Sequence, residues 1–167
     1  MVAILHNIRS LANVGSIFRT ADAAGVEKIF LCGIAPAPYD VFGKPRPQLT
    51  KVSLGAEKYM PWEHIKSTAK VIERLRGEGY KIIAVEQSKN SVPYYELPKL
   101  LRKNRVVLRR AQGMKYKAAL IVGHEVKGLP ASILKKADII TEIPMLGKKE
   151  SLNVAVAFGI VAFKLTE

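Results

Sequence analysis

The stretch Ile143-Pro144-Met145-Leu146-Gly147-Lys148-Lys149-Glu150-Ser151-Leu152-Asn153-Val154-Ala155-Val156-Ala157 changes character twice along its length. Its apolar approach, residues 139–143, reads as a strand that stops at Pro144, which cannot continue a hydrogen-bonded ladder. A loop with Gly147, Lys148 and Lys149 follows, and Ser151, a favoured N-cap residue, predicts a helix opening there. Strand, loop and helix N-terminus together can turn backbone N–H groups toward a polar ligand. The predicted helix is apolar on nearly every side, which implies burial against a sheet or another chain. Ser151 and Asn153 are the polar exceptions, and alone they read as a cap and a polar first turn.

Outward from this stretch, strands and helices alternate, and the pattern predicts an α/β fold with a mostly parallel sheet flanked by helices. Buried strands are expected at 2–5, 28–32, 80–85, 118–122 and 138–142. A helix is expected over 13–24, where Val14, Ile17, Phe18 and Ala21 recur at three- and four-residue spacing and Gly25 ends the run. Residues 33–50 carry four prolines and two glycines and read as a long surface loop bearing Lys44 and Arg46, with Lys51 just beyond. A short helical segment is expected over 52–59, a longer helix over 63–76 and a short helix over 131–136. Nothing suggests an internal repeat or a linker, so residues 1–167 are expected to form one domain without a separate RNA-binding domain.

The formal net charge of +13 calls for a polyanionic partner. It concentrates at 99–117, where eight cations, Arg109 and Arg110 among them, occur without one acidic residue, a composition suited to phosphate contacts. No apolar run reaches the roughly 20 residues that a membrane span needs. The first residues are a poor signal peptide, and the lone Cys32 forbids an internal disulfide, so a cytoplasmic location is expected.

Several familiar sites can be set aside. Gly123 to Gly128 has the outer spacing of a phosphate loop, but Leu129-Pro130 stands where that loop needs Lys and Ser or Thr. No glycine fingerprint opens a helix after a strand, and His6, His64 and His124 lack metal-ligand spacing. No metal site is expected.

Three stretches remain. They are Asn7-Ile8-Arg9-Ser10-Leu11-Ala12-Asn13-Val14-Gly15-Ser16-Ile17-Phe18-Arg19-Thr20-Ala21-Asp22, then Leu120-Ile121-Val122-Gly123-His124-Glu125-Val126-Lys127-Gly128-Leu129, then the opening stretch. Each alone has a plain explanation: an exposed helix arginine, a loop acid, a cap. In this order and at these spacings they resemble the three motifs of the SpoU (TrmH-like) family of RNA ribose 2′-O-methyltransferases, within the SPOUT class. The resemblance covers essentially the whole chain.

The resemblance implies a C-terminal deep trefoil knot, a feature that general rules of chain connection do not predict. It implies S-adenosyl-L-methionine as cofactor, held by Val85, Gly123, Glu125, Gly128, Ile143, Met145, Ser151 and Leu152, with Gly123 allowing close backbone approach. It implies a homodimer whose active site lies near the subunit interface, with the apolar C-terminal helix as part of that interface. Arg19 would be the catalytic arginine, with Asn13, Ser151 and Asn153 positioning the hydroxyl and phosphate. A guanidinium holds its proton to above pH ~12. Arg19 as a base would therefore need a strongly depressed pKa, or an RNA phosphate taking the proton while Arg19 stabilises the alkoxide. Glu125 is expected to order its loop or pair with a cation. Ala155 departs from the pattern, replacing a second serine that many members carry. Arg9, Asn13, Lys44, Arg46, Arg109 and Arg110 would bind RNA, tRNA or rRNA, through phosphates, which give affinity without sequence choice. The rival reading is a non-catalytic RNA-binding module on the same fold; a third is methylation of a base nitrogen.

Overall fold

The computed structural model describes residues 1–103, 107–110 and 113–166, with the segments 107–110 and 113–116 as backbone alone. Strand β1, Val2–His6, lies near the middle of the sheet and is apolar on both faces, as a doubly covered parallel strand must be. Ala3 and Leu5 join one hydrophobic cluster, while Val2 and Ile4 join the other. The chain runs from β1 through α1 (Leu11–Ala23) to β2 (Ile29–Cys32), then through α2 (Pro47–Ser53) to β3 (Trp62–Ile65) at the sheet edge. Helix α3 (Thr68–Gly77) returns it to β4 (Lys81–Val85) on the other side of β1. Short β5 (Val92–Pro93), α4 (Leu97–Lys103) and an antiparallel hairpin, β6 (Val107–Arg110) with β7 (Gly113–Tyr116), follow.

The last third of the chain then fills gaps left by the first two. Strand β8 (Ala118–Val122) inserts between β1 and β4, and after α5 (Ala131–Leu134), β9 (Ile139–Glu142) inserts between β4 and β5. The sheet order is β3-β2-β1-β8-β4-β9-β5, and every pairing in it is parallel. Helix α6 (Val154–Lys164) ends the fold, packing with α1, α2 and α4 on one face of the sheet, while α3 and α5 cover the other. Because all seven strands point the same way, the loops after β1, β4, β8 and β9 emerge at one edge. That edge, where the strand order reverses direction, is where open parallel sheets bind ligands.

Four expectations need correction. Residues 63–76 are not one helix: Trp62–Ile65 is edge strand β3, and α3 starts only after Ser67, whose hydroxyl accepts from the Lys70 N–H at 3.3 Å. Ile65 has helical spacing to Ala69 and Ile72 by coincidence, since its own backbone pairs with Cys32. Within 33–50, helix α2 already begins at Pro47, where the missing N–H costs nothing. Over 52–59 the chain holds the end of α2, a left-handed Leu54 and one 3-10 turn, Ala56–Lys58. Finally, Ser151 does not open α6. Asn153 is the N-cap, its side chain accepting from the Ala155 N–H at 2.8 Å, and Ser151 and Leu152 remain extended loop. An asparagine caps as well as a serine, and the one nearer the apolar run takes the place.

Candidate functional site

At the carboxyl edge of the sheet lies a cleft that encloses about 810 Å³, its solvent-open mouth included. Its walls are the loops after β4, β8 and β9 and the first turn of α6. All eight residues expected to hold a cofactor, Val85, Gly123, Glu125, Gly128, Ile143, Met145, Ser151 and Leu152, line it.

The loop after β8 is a tight turn. The Gly128 N–H donates to the His124 carbonyl at 2.8 Å, and His124 Nδ1 accepts from the N–H groups of Val126 at 3.0 Å and Lys127 at 3.3 Å. A side chain on Gly123 would place its Cβ 2.6 Å from the Gly128 carbonyl carbon and 2.8 Å from the Leu129 nitrogen. The close approach at Gly123 is thus to its own loop. Gly128 adopts φ +61°, and a Cβ there would collide with the Glu86 carboxylate.

Glu125 ties this turn to the first motif. Its carboxylate accepts from the Ser10 N–H at 2.9 Å, the Arg9 N–H at 3.1 Å and the Asn13 side-chain amide at 3.0 Å. Of the two expected roles, loop ordering is the one these neutral donors fulfil. Burial works against the charge, but the Ser10, Arg9 and Asn13 donors outweigh it and hold the carboxyl below its usual range. Ser10 meanwhile N-caps α1, its hydroxyl accepting from the Asn13 N–H at 3.2 Å. Asn13 reaches onward, its carbonyl oxygen accepting from the Asn153 amide at 3.0 Å. One carboxylate and two amides therefore join all three motifs across some 140 positions of sequence.

Arg19 is exposed on α1 and does not line the cleft, and its side chain makes no hydrogen bond or ion pair among the described residues. Arg9 and Lys44 are exposed and Arg46 is half-buried, all outside the cleft. Arg109 and Arg110 fall on β6, where only backbone is described, and Arg105 lies outside the described residues.

Of the other polar residues lining the cleft, Glu86, Gln87 and Glu142 were not singled out in the sequence, and His124 only as part of the second motif stretch. Glu86 accepts from the Leu129 N–H at 2.7 Å and the Gln87 N–H at 3.1 Å, and the Gln87 amide donates to the Glu150 carbonyl at 2.7 Å. Two consecutive side chains thus fasten the loop after β4 to both other loops of the cleft. Below the edge, Asn7 donates to His6 Nε2 at 3.0 Å, which leaves the proton on Nδ1 to donate to Thr68 at 2.7 Å. Burial, and then the nearby His124, lower the His6 pKa, while burial raises the Cys32 thiol to about 11. Cys32 is an inert core residue. Among the described residues no group of three His, Cys, Asp or Glu could hold a metal ion, and no helix is long and apolar enough to cross a membrane.

An all-parallel sheet with a cleft built from the loops after β4, β8 and β9 defines a class, and solved structures share it. The A. aeolicus TrmH/SpoU tRNA modifying enzyme superposes with a TM-score of 0.78 at 25% identity, covering 99% of this chain and 73% of that one. The fold shared with it implies the SPOUT trefoil knot. An AdoMet-bound rRNA methyltransferase from Sinorhizobium meliloti gives 0.74 at 26% identity, covering 98% and 54%. Residues 1–163 match the model of the SpoU rRNA Methylase family, and the chain belongs to that family. A 23S rRNA (guanosine(2553)-2′-O)-methyltransferase of Bacillus subtilis is 29% identical over 164 residues, 98% of this chain. The chain spans 57% of that relative's length, and of other relatives it matches.

Proposed function

We propose that this chain transfers a methyl group from S-adenosylmethionine to a ribose 2′-hydroxyl of tRNA or rRNA, as a homodimer in the cytoplasm. One observation carries the reading: Glu125, on the cleft wall, holds Arg9, Ser10 and Asn13, and Asn13 holds Asn153. The cleft suits the cofactor. Val85, Ile143, Met145 and Leu152 offer apolar walls for an adenine, and the Glu86 and Glu142 carboxylates suit a cationic ligand. Bound there, the cofactor supplies an electrophilic methyl group on a sulfonium, so the chain's residues need only align the hydroxyl and handle charge.

Arg19 stabilises the alkoxide that develops while an RNA phosphate takes the proton. Asn13, Ser151 and Asn153 position the hydroxyl and its phosphate; the mutual bond of the two asparagines fixes both amides beforehand. Arg9, Lys44, Arg46, Arg109 and Arg110 hold the RNA backbone, within a single domain. Arg19 is exposed and outside the lining of its own cleft, a position that a second surface could bring to the chemistry. Helix α6 offers one: Val156 and Phe163 are 50% and 47% exposed on an apolar helix whose Ala155, Phe158, Val161 and Ala162 are buried.

Methyl transfer from labelled S-adenosylmethionine to tRNA and rRNA from a methylation-deficient host, followed by nucleoside mass spectrometry, tests the reading. A 2′-O-methyl nucleoside supports it, and the sequence around it names the substrate. A methylated base nitrogen, or RNA binding with neither cofactor binding nor transfer, overturns it.

A further inference from the structure

Among the described residues the most exposed aromatic is Phe42. Phe42 is 83% exposed and Val41 beside it 91%. Both stand at the tip of the loop after β2, whose stem is well anchored: Ala35 and Pro38 are buried, and the Ile34 N–H donates to the Asn7 side chain at 3.1 Å. The tip itself is a closed turn. Tyr39 and Pro45 form an antiparallel bridge, and the Asp40 N–H donates to the Lys44 carbonyl at 2.9 Å. The Gly43 N–H donates to the Asp40 carbonyl at 3.1 Å, and the Arg46 N–H to the Pro38 carbonyl at 2.9 Å. The Asp40 carboxylate caps the turn, accepting from the N–H groups of Phe42 at 2.8 Å and Lys44 at 2.9 Å.

An apolar pair held in water by a turn and stem with six hydrogen bonds is not a slack loop that failed to pack. Its surroundings name the partner. Lys44, Arg46 and Lys51 follow within nine residues, and the sole acid of the stretch, Asp40, has its carboxylate turned inward to backbone donors. An aromatic face beside cations, with no exposed anion, matches single-stranded nucleic acid: the ring takes a base and the cations take the flanking phosphates. A rigid turn also lowers the ordering cost of binding.

We propose that Phe42 is a stacking platform for an unpaired base of the RNA substrate, outside the methyl-transfer cleft, with Lys44 and Lys51 on the adjacent phosphates. This rests on the reading of the chain as an RNA-acting protein. It assigns to the loop after β2 the choice of unpaired over fully paired RNA.

The test compares wild type, Phe42→Ala and Phe42→Tyr for binding to an RNA hairpin with an unpaired loop and to a blunt RNA duplex of equal length. Methyl transfer and sedimentation are followed on the same preparations. Phe42→Ala should weaken hairpin binding about five- to a hundredfold, the worth of one base–aromatic stack, leave duplex binding unchanged, and Phe42→Tyr should restore it. Unchanged hairpin binding, or equal loss on hairpin and duplex, overturns the proposal. So does a changed sedimentation coefficient with intact RNA binding, which would place Phe42 between protein chains. Should wild type bind the hairpin but neither bind S-adenosylmethionine nor transfer a methyl group, the enzymatic reading fails while the Phe42 comparison still decides this one.

Discussion

On the proposed function Arg19 and Glu125 divide the work: the exposed Arg19 side chain has no hydrogen bond or ion pair among the described residues, while Glu125 spends its oxygens on its own chain. Arg19→Ala should therefore leave thermal stability and cofactor binding unchanged, and should cut turnover roughly a hundred- to a thousandfold, the usual cost of a lost charge-stabilising donor. Calorimetric titration with S-adenosylmethionine and single-turnover methyl transfer check the two halves; near wild-type turnover would remove Arg19 from the chemistry. Glu125 gives a pH signature. Its folded pKa is lowered, so its contribution is complete above the ordinary glutamate range and vanishes as pH falls through the folded value. The Arg9 and Ser10 amide resonances should hold still from pH 8 to about 5 and move only below about pH 4; movement between pH 7 and 6 would assign the change to another group. The motif residues were legible because their chemistry and spacing are written in consecutive letters. The contacts of Glu86 and Gln87 were not, because they reach partners 43 and 63 positions away that only the folded sheet brings near.

Elements were readable in proportion to their burial. β1, β4 and β8 are runs of apolar residues in the sheet interior, and α1 shows its buried stripe openly. β3 hid itself, since an edge strand needs only one good neighbour and tolerates Glu63 and His64, which blur its period. The start of α6 was misplaced for a different reason: two good caps stand two residues apart, and only the structure shows which one bonds the Ala155 N–H. The two caps now predict opposite outcomes. Asn153→Ala should cost about 1 kcal/mol of stability, through the lost cap, and release Asn13. Ser151→Ala should leave stability within experimental scatter while lowering activity. Urea unfolding of both variants settles the contrast, and equal destabilisation would return the cap to Ser151.

At the scale of the molecule, the proposed function calls for two partner surfaces, a basic one and an apolar one. α6 looked buried all round from its composition; in the fold it buries Ala155, Phe158, Val161, Ala162 and Leu165 and leaves Val156 and Phe163 half in water. Phe163→Glu should yield a folded monomer by sedimentation equilibrium, with cofactor affinity retained and methyl transfer lost. A dimer that survives this change places the interface elsewhere. The knot was legible only through family resemblance, since no local pattern records which strand passes through which loop.

The cleft is also the part of the chain completed last. Asn13 waits for Asn153 and Gln87 for Glu150, so a ribosome that has made the first 140 residues has laid down most of the sheet but none of these closures. At roughly 5–20 residues per second, several seconds of synthesis separate the first motif from its partner, and threading must still follow. On the proposed function, a nascent chain surrounded by ribosomal and transfer RNA holds its basic surface ready but cannot yet modify anything. On that reading, the order of the strands defers the cleft's completion until both ends of these contacts have been made.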